Sequence, residues 1–408
     1  MNKIEKMISQ ALIAEVLDTQ NEFWLQKDSS TTREKLAQLK IYNGFAGIIT
    51  GIRRCGKSTL LRQLLPSVPG KSIFLNFEDP RLAGFERDDF RRLDTELRSR
   101  KIKNLFFDEI QMLDAWELYV RQKLDEGFKV IVTGSNATLL SKEMGTKLTG
   151  RHLSNELFPF SYKEYLKYSK KRSGQKAINA YIQDGGFPEF LKLKNPQILQ
   201  QLLDDILLRD IAVRYGIRDV SSLRKLAVYL ISNIGRLVSA TKLKESFNIK
   251  ATSTLLEFFS YMEDAYLVQF IPKFSYSLQA QIRNPKKVYS IDLGLFTHTS
   301  ITFSEEKGRR LENLVYLHFR RKGKEIAYFN EKKECDFVIS EKGKVQEAIQ
   351  VCYEINEDNL KREIDGLVDA IRFLKLKRGR IITFNQSDLY MADGFEIKLV
   401  PLSIFLTE

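Results

Sequence analysis

Residues 45–65 read FAGIITGIRRCGKSTLLRQLL. The stretch opens on an apolar run, Phe45 to Thr50, suited to a buried strand. It turns at Gly51 and resumes from Lys57 with the spacing of a helix. Between them Gly51-Ile52-Arg53-Arg54-Cys55-Gly56-Lys57-Ser58 fits G-x-x-x-x-G-K-[ST]. Glycines let the backbone curl so that several N–H groups point into one small space, and the helix N-terminus adds partial positive charge. A lysine is long enough to reach the outer phosphates of a nucleotide, and a serine offers a hydroxyl to Mg²⁺. The loop and the first helical residues, Gly51 to Thr59, are therefore the candidate binding residues for ATP. The pattern could arise by chance in a glycine turn, but here the strand before it and the helix after it are both present.

Further apolar runs follow at Ser72–Phe77, Asn104–Phe107 and Val130–Thr133, with helical stretches between them such as Trp116 to Asp125. Unbroken apolar strands alternating with helices predict a parallel sheet covered on both faces. One run ends in Asp108-Glu109, about fifty residues beyond the loop. In this context Asp108 is expected to hold Mg²⁺ with Ser58, and Glu109 to orient and deprotonate the attacking water. Both acids fall at the carboxyl end of a strand, where open α/β sheets bind ligands. The next strand leads into Gly134-Ser135-Asn136. Either polar residue could bond a phosphate or the water; either could equally cap the following helix.

The chain has 408 residues, enough for two or three domains. It is 43% hydrophobic and 29% charged, an ordinary globular composition. Its formal net charge of +13 makes nucleic acid or an acidic surface a plausible partner, although surplus lysine also serves solubility. Three cysteines without a CxxC pair and three scattered histidines argue against a disulfide framework and a structural zinc site. The N-terminal MNKIEKMISQALIAEVL lacks a signal peptide's apolar core, and no apolar run approaches the ~20 residues a spanning helix needs. A cytoplasmic protein with no membrane partner is expected.

Past residue 150 the strand signal fades. Residues 161 to 214 read as helical, interrupted at Asp184-Gly185-Gly186-Phe187-Pro188. Three short helical patterns occupy 222–233, 239–247 and 251–264, with a turn at Asn248-Ile249-Lys250, and a hairpin is expected over 266–292. That order suggests a winged helix. Its third helix, ATSTLLEFFSYMEDA, carries acids and few bases, which suits docking better than reading a DNA groove. The last hundred residues return to mixed strand and helix. The expected divisions are 1–150, 151–220, 221–300 and 301–408.

Taken together, GIRRCGKSTLLRQLL, FLNFEDPR, LFFDEIQ, VTGSNATLLS, LTGRHLSNELFPFSYKEYL and GGFPEF resemble the prokaryotic AAA-type P-loop ATPases related to the archaeal ATPase group. The resemblance implies an α/β fold: a parallel-sheet P-loop NTPase domain, a helical lid, a winged-helix module and a C-terminal restriction-endonuclease-like domain. It places Thr133, Ser135 and Asn136 on the sensor strand and Gly185-Gly186 in the lid. It matches Arg151 to a family arginine. Such an arginine can complete a neighbouring subunit's site in a homo-oligomer; it can also be a surface residue or a phosphate contact in its own chain. The protein client is not legible. In the C-terminal part, Glu312 and Asp336 fit the nuclease pattern, but Gln350 stands where an acid would be and Cys352 where a lysine would be. An amide binds Mg²⁺ less well than a carboxylate, so the module reads as a non-catalytic relative. The expected activity is Mg-ATP hydrolysis with nucleotide-dependent domain movement. The alternatives are an ATP-gated DNA-binding switch and an ATPase-regulated nuclease.

Overall fold

The computed structural model describes residues 8–26, 29–136, 148, 150–247, 249, 251–301 and 306–408. The chain divides into two compact units, Met1–Leu157 and Phe158–Glu408.

The first unit is built on five strands: β1 (Ala46–Thr50), β2 (Ser72–Asn76), β3 (Asn104–Asp108), β4 (Lys129–Gly134) and β5 (His152–Glu156). Their order is β2-β3-β4-β1-β5, and all are parallel. β3 is buried at every position, with Phe106 and Phe107 wholly enclosed. Each such ring contributes up to about 3 kcal/mol by leaving water. The first four strands lie where the apolar runs predict them. β5 does not follow from the sequence: HLSNE is polar and half-exposed, as an outer strand can be.

The opposite edge is closed by a helix. Helix α1, Gln10–Trp24, is capped by the Ser9 side chain. The Asn21 amide accepts from the Phe74 N–H at 2.8 Å and donates to the Phe74 carbonyl at 2.9 Å. Gln20 does the same at Asn76, at 2.7 and 3.2 Å. These amides satisfy backbone groups on the free side of β2 and blunt a sheet edge that would otherwise invite pairing. Trp24 stacks on Phe74, with ring centroids 5.1 Å apart.

The second unit begins with helices Tyr162–Ser169, Gln175–Asp184, Pro188–Leu193 and Gln197–Asp205, the last continuing as a π-helical stretch, Ile206–Val213. Helices Val220–Ser232, Ala240–Ser246 and Thr252–Asp264 accompany a small antiparallel sheet of β6 (Leu237–Val238), β7 (Val268–Ile271) and β8 (Lys286–Ser290), in the order β6-β8-β7. Asn248 and Lys250 of the expected turn lie outside the described residues, as do Ala137 and Thr149. β7 and β8 pair as the hairpin reading expects. However, a helix, Leu278–Arg283, capped by the Ser277 hydroxyl, stands between them, so the connection is not a tight turn.

The C-terminal strands are β9 (Glu325–Asn330), β10 (Glu334–Glu341), β11 (Lys344–Val351), β12 (Arg378–Thr383), β13 (Asp388–Ala392) and β14 (Phe395–Pro401). They form one mixed sheet, β13-β14-β12-β11-β10-β9. Helices Lys307–Arg321 and Leu360–Phe373 accompany it. Among the described residues no helix is long and apolar enough to cross a membrane.

Candidate active site

The loop after β1 takes the shape its glycines permit. A Cβ on Gly51 would lie 2.1 Å from the Leu157 carbonyl oxygen, so only glycine fits there. Gly56 has φ +99°, a region costly for other residues, and opens helix α2, Lys57–Leu64. Arg54 also has positive φ and is exposed, whereas Ile52 and Cys55 are wholly buried. The Cys55 thiol donates to the Leu157 carbonyl at 3.4 Å, and burial pushes its pKa up. Thr59 is half-buried on the first turn of α2.

The structure brings the two ends of the predicted site together. The Ser58 hydroxyl donates to Asp108 Oδ2 at 2.6 Å. Thr133 Oγ1 donates to the other oxygen of Asp108 and accepts the Glu109 N–H at 3.0 Å. One hydroxyl on β4 thus fixes both acids at the end of β3. Glu109 has φ +50° and ψ +46°, a left-handed conformation unusual for a glutamate and typical of strain held at working sites. The Lys57 ammonium donates to the Gly51 carbonyl at 3.1 Å and sits 3.4 Å from Glu109 Oε1. Ser135 donates to Glu109 Oε2 at 3.2 Å, and the Gln111 amide donates to the same oxygen. Asn136 is buried one residue further on.

Burial, and then the charge of Glu109, push Asp108 up to about 6. Burial acts to raise Glu109 as well, but the Lys57 ammonium and the Gln111 amide outweigh it and hold Glu109 below its ordinary value. The site therefore presents one carboxylate ionised throughout the neutral range beside another that retains its proton more readily.

Two contacts lie beyond the sequence motifs. Arg33, only 3% exposed, donates from Nη1 to the Cys55 carbonyl at 2.7 Å. Arg53 Nη2 pairs with Glu78 Oε1 at 3.0 Å. Neither could be read from spacing, because each joins segments that only the fold brings together. The structure does not bring Arg151 to the loop of its own chain. Its carbonyl accepts from Ala46 at the start of β1, whereas the loop leaves the end of that strand, and its side chain pairs with Asp125 at 2.8 Å.

In the second unit, Gly185 and Gly186 are tightly enclosed. Asp292 Oδ2 accepts the Gly186 N–H at 2.6 Å, and a Cβ on Gly186 would meet the Phe160 carbonyl oxygen at 2.3 Å. Glu312 and Asp336 line one cavity of about 1000 Å³, together with Gln350. Gln350 accepts from the Asp336 N–H at 3.2 Å and donates to Glu363 at 2.7 Å. Cys352, half-buried, directs its thiol to the Glu354 carbonyl.

Residues 44–166 match the family described as AAA domain, and residues 175–306 match a domain of unknown function, DUF8612. Over 97% of its length the chain is 36% identical to the uncharacterized protein MJ1544 of Methanocaldococcus jannaschii, covering 92% of that protein. It is 29% identical, over 79% of its length, to an uncharacterized protein of Haemophilus influenzae, of which it covers 86%. Among solved structures it is similar to the Thermotoga maritima RuvB Holliday junction branch migration motor, at 15% identity and a TM-score of 0.31, over 66% of this chain and 92% of that one. The AAA match spans the parallel sheet and its loop and makes that domain one of the nucleotide-binding ATPase kind, and the chain belongs to the family of the Methanocaldococcus jannaschii protein.

Proposed function

We propose that the chain binds Mg-ATP through Gly51 to Thr59 and hydrolyses it with Glu109 as the base. The observation that carries this reading is the 2.6 Å bond between the Ser58 hydroxyl and Asp108. A hydroxyl from the loop and a carboxylate from β3 form an oxygen-only donor set that suits Mg²⁺. When bound, Mg²⁺ would neutralise charge on the outer phosphates, held by Ser58 and Asp108. Lys57 and the curled backbone N–H groups bind and orient the triphosphate. Glu109, ionised beside Lys57, accepts a proton from the attacking water. Ser135 and Gln111 fix the carboxylate's direction, and Thr133 fixes Asp108.

The experiment is phosphate release with Lys57→Ala and Glu109→Gln beside the wild type, and nucleotide binding measured separately. Lys57→Ala is expected to lose binding. Glu109→Gln is expected to keep binding and to lose at least about a hundredfold in turnover. Saturable binding without turnover in the wild type would reject the enzymatic part.

The same reading takes the part of 151–220 that follows β5 as a lid, 221–300 as a winged helix and 301–408 as a restriction-endonuclease-like relative without nuclease activity. The identities of Gln350 and Cys352 support that last assignment. Absence of plasmid cleavage with Mg²⁺ or Mn²⁺ is expected. Mass in solution with a non-hydrolysable ATP analogue tests whether copies assemble so that Arg151 could act in trans.

A further inference from the structure

The cavity in the second unit holds an arrangement that the nucleotide site does not need. Lys287, on β8, is only 3% exposed. Its ammonium lies 3.1 Å from Glu312 Oε1, 3.0 Å from Asp336 Oδ1 and 2.9 Å from Glu334 Oε1. These acids come from helix Lys307–Arg321 and strand β10. The remaining bonds hold the two buried acids, Glu312 and Asp336, while Glu334 is half-exposed at the rim. Tyr289 donates its hydroxyl to Glu312 at 2.6 Å, and the Val351 N–H donates to Asp336 Oδ2 at 3.0 Å. Glu363, also buried, stands behind Gln350.

A buried lysine is costly unless it is paired, and buried acids are costly unless something positive faces them. Here an ammonium sits where three carboxylates converge. A hard divalent cation binds carboxylate oxygens at about 2.3–2.6 Å. Oxygens already about 3 Å from one central point would move inward by less than an ångström to hold one. The centre of the cluster, however, is filled by nitrogen.

We propose that Lys287 is the resident cation of this pocket: its ammonium replaces a divalent metal ion among Glu312, Glu334 and Asp336, so the native protein binds none there, and removing the ammonium opens a metal site. This inference is independent of the ATPase reading, because it concerns other residues and is tested without nucleotide.

The test is Mn²⁺ titration of the full chain, followed by electron paramagnetic resonance, for wild type, Asp336→Asn, Lys287→Met and the double variant. Wild type and Asp336→Asn are expected to bind Mn²⁺ alike. Lys287→Met is expected to gain one equivalent, at least tenfold tighter than any site in the wild type, and the double variant to lose it. Lys287→Gln, which retains a donor among the acids, takes the place of Lys287→Met if the latter does not fold. The proposal is overturned if Asp336→Asn removes a Mn²⁺ site from the wild type, or if a folded Lys287 variant gains none. Asp336→Asn also separates this pocket from the Ser58–Asp108 pair, which it leaves intact.

Discussion

The Arg33 guanidinium donates to the Cys55 carbonyl at 2.7 Å, bracing the Gly51–Ser58 loop from a segment that precedes the sheet. Gln63 on α2 strengthens the brace. Its side chain accepts the Arg33 N–H at 3.0 Å and donates to the Thr31 carbonyl at 2.9 Å. A charged hydrogen bond of this kind contributes roughly 1.5–3 kcal/mol. Arg33→Met is expected to lower the stability of the first unit by about 2 kcal/mol in urea unfolding. It should also raise KM for ATP by roughly tenfold, about 1.4 kcal/mol, with kcat nearly unchanged. An unchanged KM would show that the brace does not shape the loop.

Gly51→Ala tests the loop more severely. The added Cβ would fall 2.1 Å from the Leu157 carbonyl oxygen, a backbone atom with little room to yield. The expected outcome is a destabilisation above about 3 kcal/mol, or a shifted loop that no longer binds nucleotide. Thermal melting and fluorescent nucleotide titration read the two effects separately. A variant with native melting and native binding would mean that the loop is looser than described.

His318 predicts a pH dependence in the second unit. It is 9% exposed, tilts against Phe405 with centroids 4.6 Å apart, and its Nε2 has no hydrogen-bond partner among the described residues. Burial first, then Lys322 and Arg321, pull its pKa from 6.5 down to about 3. Below pH 6.5 the unfolded chain takes up a proton that the folded unit refuses. Stability is therefore retained above that pH and lost as pH falls from 6.5 towards 3. By pH 5 the loss is expected to reach about 2 kcal/mol. Urea unfolding of wild type and His318→Leu at pH 7.5, 6 and 5 checks this. The variant should lack that component of the slope.

Asp292 should prove indispensable to the second unit's fold. Its carboxylate accepts the N–H groups of Gly186 at 2.6 Å, Gly294 at 2.8 Å and Leu295 at 3.2 Å. It thereby caps helix Leu293–Thr299 and anchors the Gly185-Gly186 turn. Asp292→Ala leaves three buried donors unsatisfied, at a cost of about 3 kcal/mol or more. Asp292→Asn keeps one acceptor and should lose less. Equal stability of Asp292→Ala and wild type in chemical denaturation would contradict this assignment.

The Gly51–Ser58 loop and the acid pair that meets it were legible as candidates because their pattern is local: glycines, lysine and serine in eight consecutive residues, and acids closing an apolar strand. The partners that set their behaviour were not. Arg33, Glu78 and Gln111 carry no spacing signal, since packing alone delivers them to the site. Strand β5 hides because an outer strand needs no continuous apolar run. β13 did carry a local signal. Asp393 and Gly394 both have positive φ and join β13 to β14 by a two-residue turn, so Asp-Gly was a readable hairpin signal. Lys287 was invisible as a member of the acidic cluster, because β8 lies well before Glu312 and Asp336 in the chain.

Leu157 closes the first unit and also touches its most sensitive part. Its N–H donates to Thr50 at 2.7 Å, and its carbonyl rests on Gly51 and Cys55. The very next residue begins the second unit. One carbonyl oxygen therefore ties the last residue of the first unit to the turn at Gly51 and to the buried thiol of Cys55.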